Sequence, residues 1–493
     1  MHICVVGTGT SGWLVAHQLK ELSFVDKITI IGSPKIPHIG VGESTTLHLV
    51  KNHNKFNIDV AEFIRESHAA VKYGVYYKNW SKNDWIHFFK SNNVLKKSGL
   101  SARKYIQLLG NKPKDIFIHD LYGKHIWNEV VGKNNVFPHV YDNEIYEEYP
   151  STFHFDAGAY IQFLKKQALK SSKITYLEET VTHVEYTEGF INKLFLTNDI
   201  QIYSDYYINT TGQGLDRENI FKEEYTSLEN VLLTNKAVVY PLEYTNKKTQ
   251  FHPYTVAKTM KNGWRWITPT WKRIGTGYTF SDNHISVDEA VNEFLEDIGD
   301  KSLIPNVVDF RPRYNKQTFK LNSCSIGLAN GFLEPLDAPG LALTSVNTTL
   351  LENLLKIYSS NLKNSTSLEL SQNQPYLEGI KILNGVVEKN YKFWATFIYN
   401  QYKTCYRLDS SFWIDQKNVN WEPWNDAIKD LNGYCDVYKN DWAIMMLAQT
   451  LASRDIQYYT PLPSHITPLN YPLEEILPET QHHLDWIKSF HKL

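Results

Sequence analysis

The sequence predicts an α/β protein, and the prediction begins at its first residues. An apolar run at residues 2–6 is followed by the glycine-rich segment GTGTSG and then by WLVAHQLKEL, in which Val15, Leu19 and Leu22 recur at i, i+4 and i+7. This is the pattern of a strand, a tight turn and an amphipathic helix. The same order opens a Rossmann-like dinucleotide-binding module, so we expect such a module at the start of the chain.

Three glycines of the turn have distinct expected roles. Gly7 allows the tight turn, Gly9 lets the backbone approach a pyrophosphate, and Gly12 permits close packing of the helix on the strand. The next strand, KITII, ends at Gly32, where the fingerprint usually supplies an acid for a ribose hydroxyl. Either Ser33 or a backbone group therefore takes the ribose, or the nucleotide is held differently, and a plain NAD-dependent dehydrogenase is disfavoured.

Composition excludes several classes of partner and site. The 493 residues are 42% hydrophobic and 21% charged, and 51 basic side chains nearly balance 53 acidic ones. Such a chain buries a core but has no overall field to attract nucleic acid or an anionic membrane. Four cysteines without CxxC spacing argue against a disulfide framework and a zinc site, so no metal is expected.

The N-terminus predicts where the protein works. It has no basic segment and has glycines where a signal peptide would be apolar, and no apolar run of membrane-spanning length follows. We therefore expect a soluble, cytoplasmic protein. Aromatic residues make up 14% of the chain, which serves the core and also suits a pocket for a flat ligand.

A second glycine-rich segment, IGVGESTT at residues 39–46, leads into LHLVKNH. Ser44 and Thr45 suit a loop that caps a helix. Taken with GTGTSGW and the strand between the two segments, this part of the chain resembles the start of the flavin-dependent halogenases of the tryptophan-halogenase family. The resemblance implies an α/β fold with a Rossmann-like FAD-binding module, of the type found in the GR2-type flavin monooxygenases.

A lysine of that family has a counterpart in the segment AVKYGVYYKNW. Lys72 lies at the matching position, and Tyr73, Val75 and Tyr77 alternate down one face of the predicted strand. At the head of an apolar, aromatic strand a lysine is partly desolvated. Desolvation lowers the pKa of an amine and makes it available as a neutral nucleophile or hydrogen-bond donor.

Another family motif, Trp-x-Trp-x-Ile-Pro, is matched in the segment GWRWITP. Trp264, Trp266 and Pro269 agree, while Thr268 replaces the isoleucine. In the family this element lies near the flavin and blocks ordinary monooxygenation by its bulk. Two tryptophans at i and i+2 are equally typical of one face of a buried strand.

The flavin half of the family is matched by three more segments. They are residues 153–168, in which Asp156 caps a helix, residues 174–186, a strand pair, and residues 205–216, a strand with a Thr-Gly turn. The resemblance implies FAD contacts at Gly7, Gly9, Thr10, Ser11, Gly12, Gly42, Glu43, Ser44, Val181, Gly212, Leu328 and Leu341. Residues 397–413 also match, and the marks up to about residue 345 are the most diagnostic.

The segment GFLEPLDAPGLAL departs from the family pattern at three positions. Asp337 replaces a glutamate, Ala338 a serine and Pro339 a threonine. In the family, reduced FAD and oxygen oxidise a halide to hypohalous acid, which passes to the lysine beside an aromatic substrate, and the glutamate orients the electrophile or takes up the ring proton. Asp337 suits either role together with Lys72, although it is one methylene shorter.

The halide of the family is bound by successive backbone N–H groups of the Thr-Gly pair, which correspond to Pro339 and Gly340. Proline has no N–H, so one donor is missing and Gly340 and Leu341 remain. Fewer donors compensate poorly for the hydration that a small anion loses. We therefore expect iodide or bromide to be preferred over chloride.

The substrate is less well specified. His87 and Phe89 resemble the substrate-stacking segment of tryptophan-specific members, but residues that would bind the amino-acid group of tryptophan are not identified. We expect an aromatic-lined pocket for phenols, indoles or similar electron-rich rings.

The predicted domains are discontinuous. Residues 1–80, 150–215 and 320–355 are assigned to the FAD-binding module, 81–149 and 216–319 to a sheet region that binds substrate, and 356–493 to a mainly helical region. The expected activity is that of a two-component halogenase that receives reduced FAD from a separate flavin reductase. An aromatic monooxygenase and a non-catalytic flavoprotein remain as alternatives, and the chain is compatible with a monomer or a homo-oligomer.

Overall fold

The structure, a computed structural model, describes most of the chain. The described residues are 1–36, 43–72, 74–80, 84–88, 136–138, 151–214, 219–362, 373–426, 480–482, 488 and 491, without the side chains of 85–88, 136–138, 361–362 and 480–482. Two predicted site residues, Gly42 and Phe89, lie outside this set, as does the side chain of His87.

A five-stranded parallel sheet forms the nucleotide-binding module. In spatial order it consists of β21 (Ser323–Ser325), β13 (Tyr206–Asn209), β1 (His2–Val6), β2 (Lys27–Ile31) and β9 (Ile174–Leu177). Helix α1 (Thr10–Leu19) follows β1 and packs on α4 (Ala157–Ala168). Strand, glycine turn and helix therefore follow one another as predicted, and the predicted α/β fold with a Rossmann-like module is confirmed.

A seven-stranded sheet forms the second layer of the fold. In spatial order it consists of β19 (Asn306–Asp309), β15 (Lys236–Leu242), β18 (Ile274–Phe280), β17 (Gly263–Pro269), β16 (Thr255–Met260), β5 (Gly74–Lys78) and β6 (Trp85–Phe88). Its pairs are antiparallel except for β16 with β5. One continuous hydrophobic core includes side chains from this sheet and from the parallel sheet, so the two layers are packed together.

The remaining strands form four small sheets. They are β3 (Glu43–Ser44), β8 (Thr152–Phe155) and β4 (Ala70–Lys72); β10 (Val181–Thr187), β11 (Phe190–Leu196) and β12 (Gln201–Ile202); β14 (Tyr225–Ser227), β20 (Arg313–Asn315) and β22 (Gly331–Phe332); and β7 (Val136–Pro138) with β23 (Thr480–His482).

Helices cover these sheets, and two long ones follow the last strand of the parallel sheet. The other α-helices are α2 (His48–Lys55), α3 (Val60–Glu66), α5 (Lys247–Gln250), α6 (Val287–Ile298), α7 (Pro339–Leu362), α8 (Gln374–Thr404) and α9 (Ser411–Asn418). Short 3-10 turns occur at Thr197–Asp199 and Gly327–Ala329. Within the part of the chain that the structure describes, none of the helices combines the length and apolar character needed to cross a membrane.

Three local predictions were wrong. Lys72 ends β4, whereas Tyr77 lies on β5 in another sheet, so the single predicted strand is two strands. Helix α2 has Leu47 as its N-cap, without a side-chain cap, because the chain just before it pairs with β8 instead. The predicted strand pair at 174–186 consists of β9 and β10, which belong to different sheets.

Alanine substitutions at two glycines test how tightly the glycine turn is packed against its neighbours. A Cβ at Gly12 would lie 2.1 Å from the carbonyl oxygen of Gly7, whereas one at Gly158 would lie 3.4 Å from the nearest atom. Gly12→Ala should therefore lower the free energy of unfolding by about 1–3 kcal/mol through overpacking. Gly158→Ala, also within a helix, should raise it by about 0.5–1 kcal/mol. Urea unfolding measures both, and equal stabilities of the two variants would contradict this packing.

Candidate active site

The carboxyl edge of the parallel sheet has the shape of a dinucleotide site. Gly7 has φ +119°, and a Cβ there would lie 2.4 Å from the carbonyl oxygen of Thr210 on the loop after β13. At Gly9 and Gly212, by contrast, an added Cβ would meet no heavy atom within 4 Å. These open positions follow adjacent strands, and the first-turn N–H groups of α1 have no acceptor within the helix. Backbone and space therefore fit the pyrophosphate of FAD.

The ribose end of this site lacks an acid at the usual position. A Cβ at Gly32 would lie 2.4 Å from the side chain of Thr8, so the turn after β2 has no room for a side chain there. Ser33, the expected substitute, lies with its Oγ 2.6 Å from Oγ1 of Thr180. The Ser33 hydroxyl thus has a protein partner already, which favours a backbone group as the ribose contact.

Two further residues expected at the flavin lie on strand β3. Burial raises the pKa of the Glu43 carboxyl to about 7. Oγ of Ser44 is 2.8 Å from Oγ1 of Thr255, which is also 2.8 Å from Nε2 of His154. Val181, one of the expected FAD contacts, is the half-buried first residue of β10. The structure therefore distributes these residues over two small sheets beside the main one.

Helix α7 starts at the predicted halide position. Pro339 is its first residue, where a missing N–H does not interrupt a helical hydrogen bond. The N–H of Ala338 already donates to the carbonyl of Pro335 at 3.0 Å. The next donors at this helix end are the N–H groups of Gly340 and Leu341, and a Cβ at Gly340 would meet no heavy atom within 4 Å. This helix end therefore offers two amides and open space to an anion.

The starts of α1 and α7 are in contact. Oγ of Ser11 lies 3.4 Å from Oγ1 of Thr344, whose hydroxyl donates to the carbonyl of Gly340 at 2.9 Å. A Cβ at Gly327 would lie 2.3 Å from Oγ of Ser11, so the turn bearing Leu328 approaches the same point. The structure thus brings together the predicted flavin contacts Ser11 and Leu328 and the predicted halide residue Gly340.

Lys72 is fully buried at the end of β4. Its Nζ donates to the carbonyl oxygen of Thr45 at 2.9 Å. Burial lowers the pKa of the Lys72 amine to about 7, against the opposing attraction of the Asp337 carboxylate. The expected desolvation of this lysine is therefore present, and near neutral pH a large fraction of its amine is uncharged.

Asp337 is half-buried and is held by a tyrosine. The Tyr77 hydroxyl donates to Oδ2 of Asp337 at 2.5 Å. Burial raises the pKa of the Asp337 carboxyl to about 6, while the Tyr77 hydrogen bond and the Lys72 ammonium act to lower it. Lys72 and Asp337 are thus close enough for each to affect the ionisation of the other, as the family resemblance implies.

The backbone at Asp337 is strained. Asp337 and Ala338 have φ +58° and +55°, in the left-handed region that favours glycine. Ala338 also precedes a proline, which disfavours helical backbone angles there. Two adjacent residues in this conformation fix the direction in which the Asp337 side chain leaves the loop. Strain of this kind is retained where the surrounding contacts enforce it.

A second carboxylate, Glu334, lies three residues before Asp337 and is fully buried. It accepts hydrogen bonds from the Thr234 hydroxyl at 2.6 Å, from Nε1 of Trp264 at 3.1 Å and from the Tyr402 hydroxyl at 2.9 Å. Burial raises the pKa of its carboxyl to about 7, because the desolvation outweighs these three donors. Glu334 therefore anchors the loop to the seven-stranded sheet and to α8.

Trp264 and Trp266 lie on one face of β17, as their spacing predicts. Their ring centroids are 6.1 Å apart. A Cβ at Gly277, on the neighbouring strand β18, would lie 2.3 Å from the ring of Trp266, so this glycine makes room for the indole. The indole N–H of Trp264 is directed at Glu334, which connects this motif to the Asp337 loop.

Sequence reasoning missed the roles of Tyr77 and Glu334. The sequence pattern places Tyr77 only on one face of an apolar strand and gives Glu334 no role. The signal for Glu334 was a carboxylate in an otherwise apolar segment, GFLEPL. No signal in the sequence shows that the hydroxyl of Tyr77 reaches Asp337, because their contact spans 260 positions.

The buried amine predicts a pH-dependent stability. A lysine whose pKa is lowered in the folded state destabilises it below the unfolded pKa of about 10.4, because the unfolded chain binds the extra proton. Since the folded pKa of Lys72 is about 7, Lys72→Met should raise the free energy of unfolding by about 2–4 kcal/mol at pH 7. The gain should shrink as the pH rises from 7 towards 10. Urea unfolding across this range measures it.

Lys301→Met is the matched control, because the Lys301 side chain is 71% exposed. Lys301→Met should show no comparable increase in the free energy of unfolding at any pH. A gain for Lys72→Met that is absent, or equally large at pH 7 and pH 10, would contradict the buried amine.

Comparison with known proteins identifies the family. The model of the tryptophan halogenase family matches residues 2–441. Among curated relatives, tryptophan 7-halogenase RebH of Lentzea aerocolonigenes is 29% identical over 360 residues, which are 69% of this chain and 67% of the relative. Tryptophan 6-halogenase ThaL of Streptomyces albogriseolus is 25% identical over 453 residues, which are 87% of this chain and 80% of that protein.

Solved structures agree on the fold. A flavin-dependent halogenase from Xanthomonas campestris superposes with a TM-score of 0.78 at 20% identity, covering 99% of this chain and 98% of the other. Another from Brevundimonas gives a TM-score of 0.78 at 20% identity and covers 99% of both chains. The resemblance stated from the sequence motifs is thereby confirmed. The chain belongs to the tryptophan halogenase family and is an oxidoreductase.

Proposed function

We propose that this enzyme halogenates an electron-rich aromatic molecule in two stages at two linked positions. FAD, delivered in reduced form by a separate flavin reductase, supplies with oxygen the oxidising power that turns a halide into hypohalous acid. The halide is held at the start of α7, and the electrophilic halogen is received at Lys72. The observation that carries this proposal is the buried amine of Lys72 beside the carboxylate of Asp337.

Lys72 receives the halogen because its amine is partly uncharged near neutral pH. The nitrogen lone pair takes the halogen of hypohalous acid, and the hydroxide that leaves combines with the amine proton to give water. The halogen then passes to a ring carbon, and the proton that this carbon loses returns through Asp337 to the nitrogen, which restores the amine. A solvated lysine, protonated at this pH, has no lone pair to offer.

Asp337 takes up the proton that the ring carbon loses. It suits this role because a carboxylate with a pKa of about 6 is mostly ionised at pH 7 and is still basic enough to accept a proton. The active forms are thus an ionised Asp337 and a neutral Lys72. Both forms become more populated as the pH rises from 6 to 8.

The halide site supports a preference for large anions. Gly340 and Leu341 supply the N–H groups at the start of α7, and Pro339 supplies none. The positive end of this 24-residue helix favours any anion, but two amides replace only part of the hydration of chloride. Iodide and bromide are less strongly hydrated than chloride, so they lose less hydration free energy on entering such a site.

The substrate and the setting follow from the same chemistry. Electrophilic halogenation requires an electron-rich ring such as a phenol or an indole, and the relatives named for tryptophan make an indole the first choice for testing. A cytoplasmic enzyme is supported by Cys4, Cys324 and Cys405, which are free thiols buried in the fold.

The decisive assay contains the protein, a flavin reductase, NADH, FAD, oxygen, a halide and an electron-rich arene. Mass spectrometry should show a halogenated product that is lost in Lys72→Ala and kept in Lys78→Ala, whose side chain is exposed at the end of β5. Oxygenated product without halogen would instead indicate an aromatic monooxygenase. FAD binding without product would indicate a non-catalytic flavoprotein, which the altered residue Pro339 favours as the second candidate. Peroxide and halide without reduced flavin should give no product.

The halide preference has its own test. Pro339→Ala restores an N–H at the first position of α7, so the ratio of chloride to iodide turnover should rise several-fold over that of the unaltered enzyme. Pro375→Ala, an exposed proline in the first turn of α8, is the control and should leave the ratio unchanged. A chloride turnover in the unaltered enzyme that equals or exceeds iodide turnover at equal concentration would refute the preference.

A further inference from the structure

The position of Tyr77 points to a role beyond packing. Its side chain is fully buried on β5, and its ring contacts Trp80 edge-on at a centroid distance of 5.7 Å. Nε1 of Trp80 donates to the carbonyl oxygen of Ala257 at 3.0 Å, which fixes the indole against β16. The hydroxyl of Tyr77 is therefore presented from the rigid seven-stranded sheet.

That hydroxyl donates to Oδ2 of Asp337 at 2.5 Å. We propose that Tyr77 is a positioning residue that holds the Asp337 carboxylate in place and in its ionised form. The inference rests on the proposed function, in which Asp337 takes up a proton beside Lys72. With Oδ2 engaged by the phenol, proton uptake falls to Oδ1 of the same carboxylate.

Because the side chain of Asp337 is short, the hydrogen bond from Tyr77 is important for the position of its carboxylate. An aspartate has one methylene fewer than the glutamate of the family pattern, so its carboxylate stays close to the loop backbone. That backbone has left-handed angles at Asp337 and Ala338, and it relies on outside contacts to stay so. A hydrogen bond from Tyr77 ties the loop to the sheet at the reacting group itself.

The groups around Asp337 determine how strongly the hydrogen bond from Tyr77 affects the ionisation of its carboxyl. Among the described residues, three titratable groups face it: Lys72 from β4, Tyr77 from β5 and Glu334 from the same loop. Burial favours the neutral acid, while the Tyr77 hydroxyl and Lys72 favour the carboxylate. When the amine of Lys72 loses its proton and becomes reactive, it no longer stabilises the Asp337 carboxylate. The hydrogen bond from Tyr77 still does so.

Tyr77→Phe isolates the hydroxyl, because it keeps the buried ring. In protein labelled with ¹³C at the aspartate carboxyls, the signal lost in Asp337→Asn reports the titration of Asp337. The midpoint should move upward by about one pH unit in Tyr77→Phe, as expected when an ionised group loses a hydrogen bond. Tyr76 lies on the same strand as Tyr77, and Tyr76→Phe removes a hydroxyl that donates to Asp84, so it is the matched control and should not move the midpoint.

The pH profile of halogenation gives a second measurement. Its acidic limb should shift upward in Tyr77→Phe and stay in place in Tyr76→Phe, whereas a general loss of packing would lower the rate equally at all pH values. An unchanged Asp337 midpoint, or a uniform rate loss, would overturn the role of Tyr77. If Tyr77→Phe does not fold, 3,5-difluorotyrosine at position 77 provides a stronger donor, and the midpoint should then move downward.

The titration requires neither flavin nor halide, so the proposed function and the role of Tyr77 can be refuted independently of each other. A chain that makes no halogenated product while the Asp337 midpoint depends on Tyr77 would refute the proposed function alone. A chain that halogenates through Lys72 with a midpoint independent of Tyr77 would refute this inference alone.

Discussion

The burial of one amine, that of Lys72, is the constraint on which the rest of the site depends. A fully buried lysine is unfavourable unless its amine loses its proton or finds partners. Here the Thr45 carbonyl accepts a hydrogen bond from it, and the carboxylate of Asp337 attracts it. These partners keep the amine inside the protein without making it permanently charged. In the proposed function, a neutral amine has a lone pair with which to take up an electrophilic halogen, which a permanently protonated lysine would lack.

One short loop connects this amine to the flavin-binding half of the molecule. Glu334 anchors the loop to the seven-stranded sheet and to α8, Asp337 faces Lys72, and Pro339 starts the helix that contacts α1 at Ser11. Six positions of chain therefore link an anchor, the proposed base and the helix end proposed to bind the halide. The strained backbone at Asp337 and Ala338 lies between these contacts, which hold it in place.

Local patterns in the sequence were sufficient for the nucleotide-binding module, whereas the pairing of Lys72 with Asp337 followed from the family resemblance. The prediction of the glycine turn is confirmed at Gly7 and Gly12, where an added Cβ would clash with neighbouring atoms, because the order of strand, turn and helix is enough to place both glycines. Alternation predicts a single strand around Lys72, because it cannot reveal that the chain changes sheets between Lys72 and Gly74. The Tyr77 hydroxyl and the Glu334 anchor depend on contacts between distant parts of the chain. Single-sequence periodicity contains no information about such contacts.

The central claim, that Lys72 carries a desolvated amine near neutrality, can be tested directly on the protein without cofactors. Side-chain ¹⁵N labelling of lysine allows the Nζ signal of Lys72 to be followed with pH, with assignment by its loss in Lys72→Met. The account predicts a midpoint near 7 for this amine. A midpoint near the value of about 10.4 of a solvated lysine would contradict it.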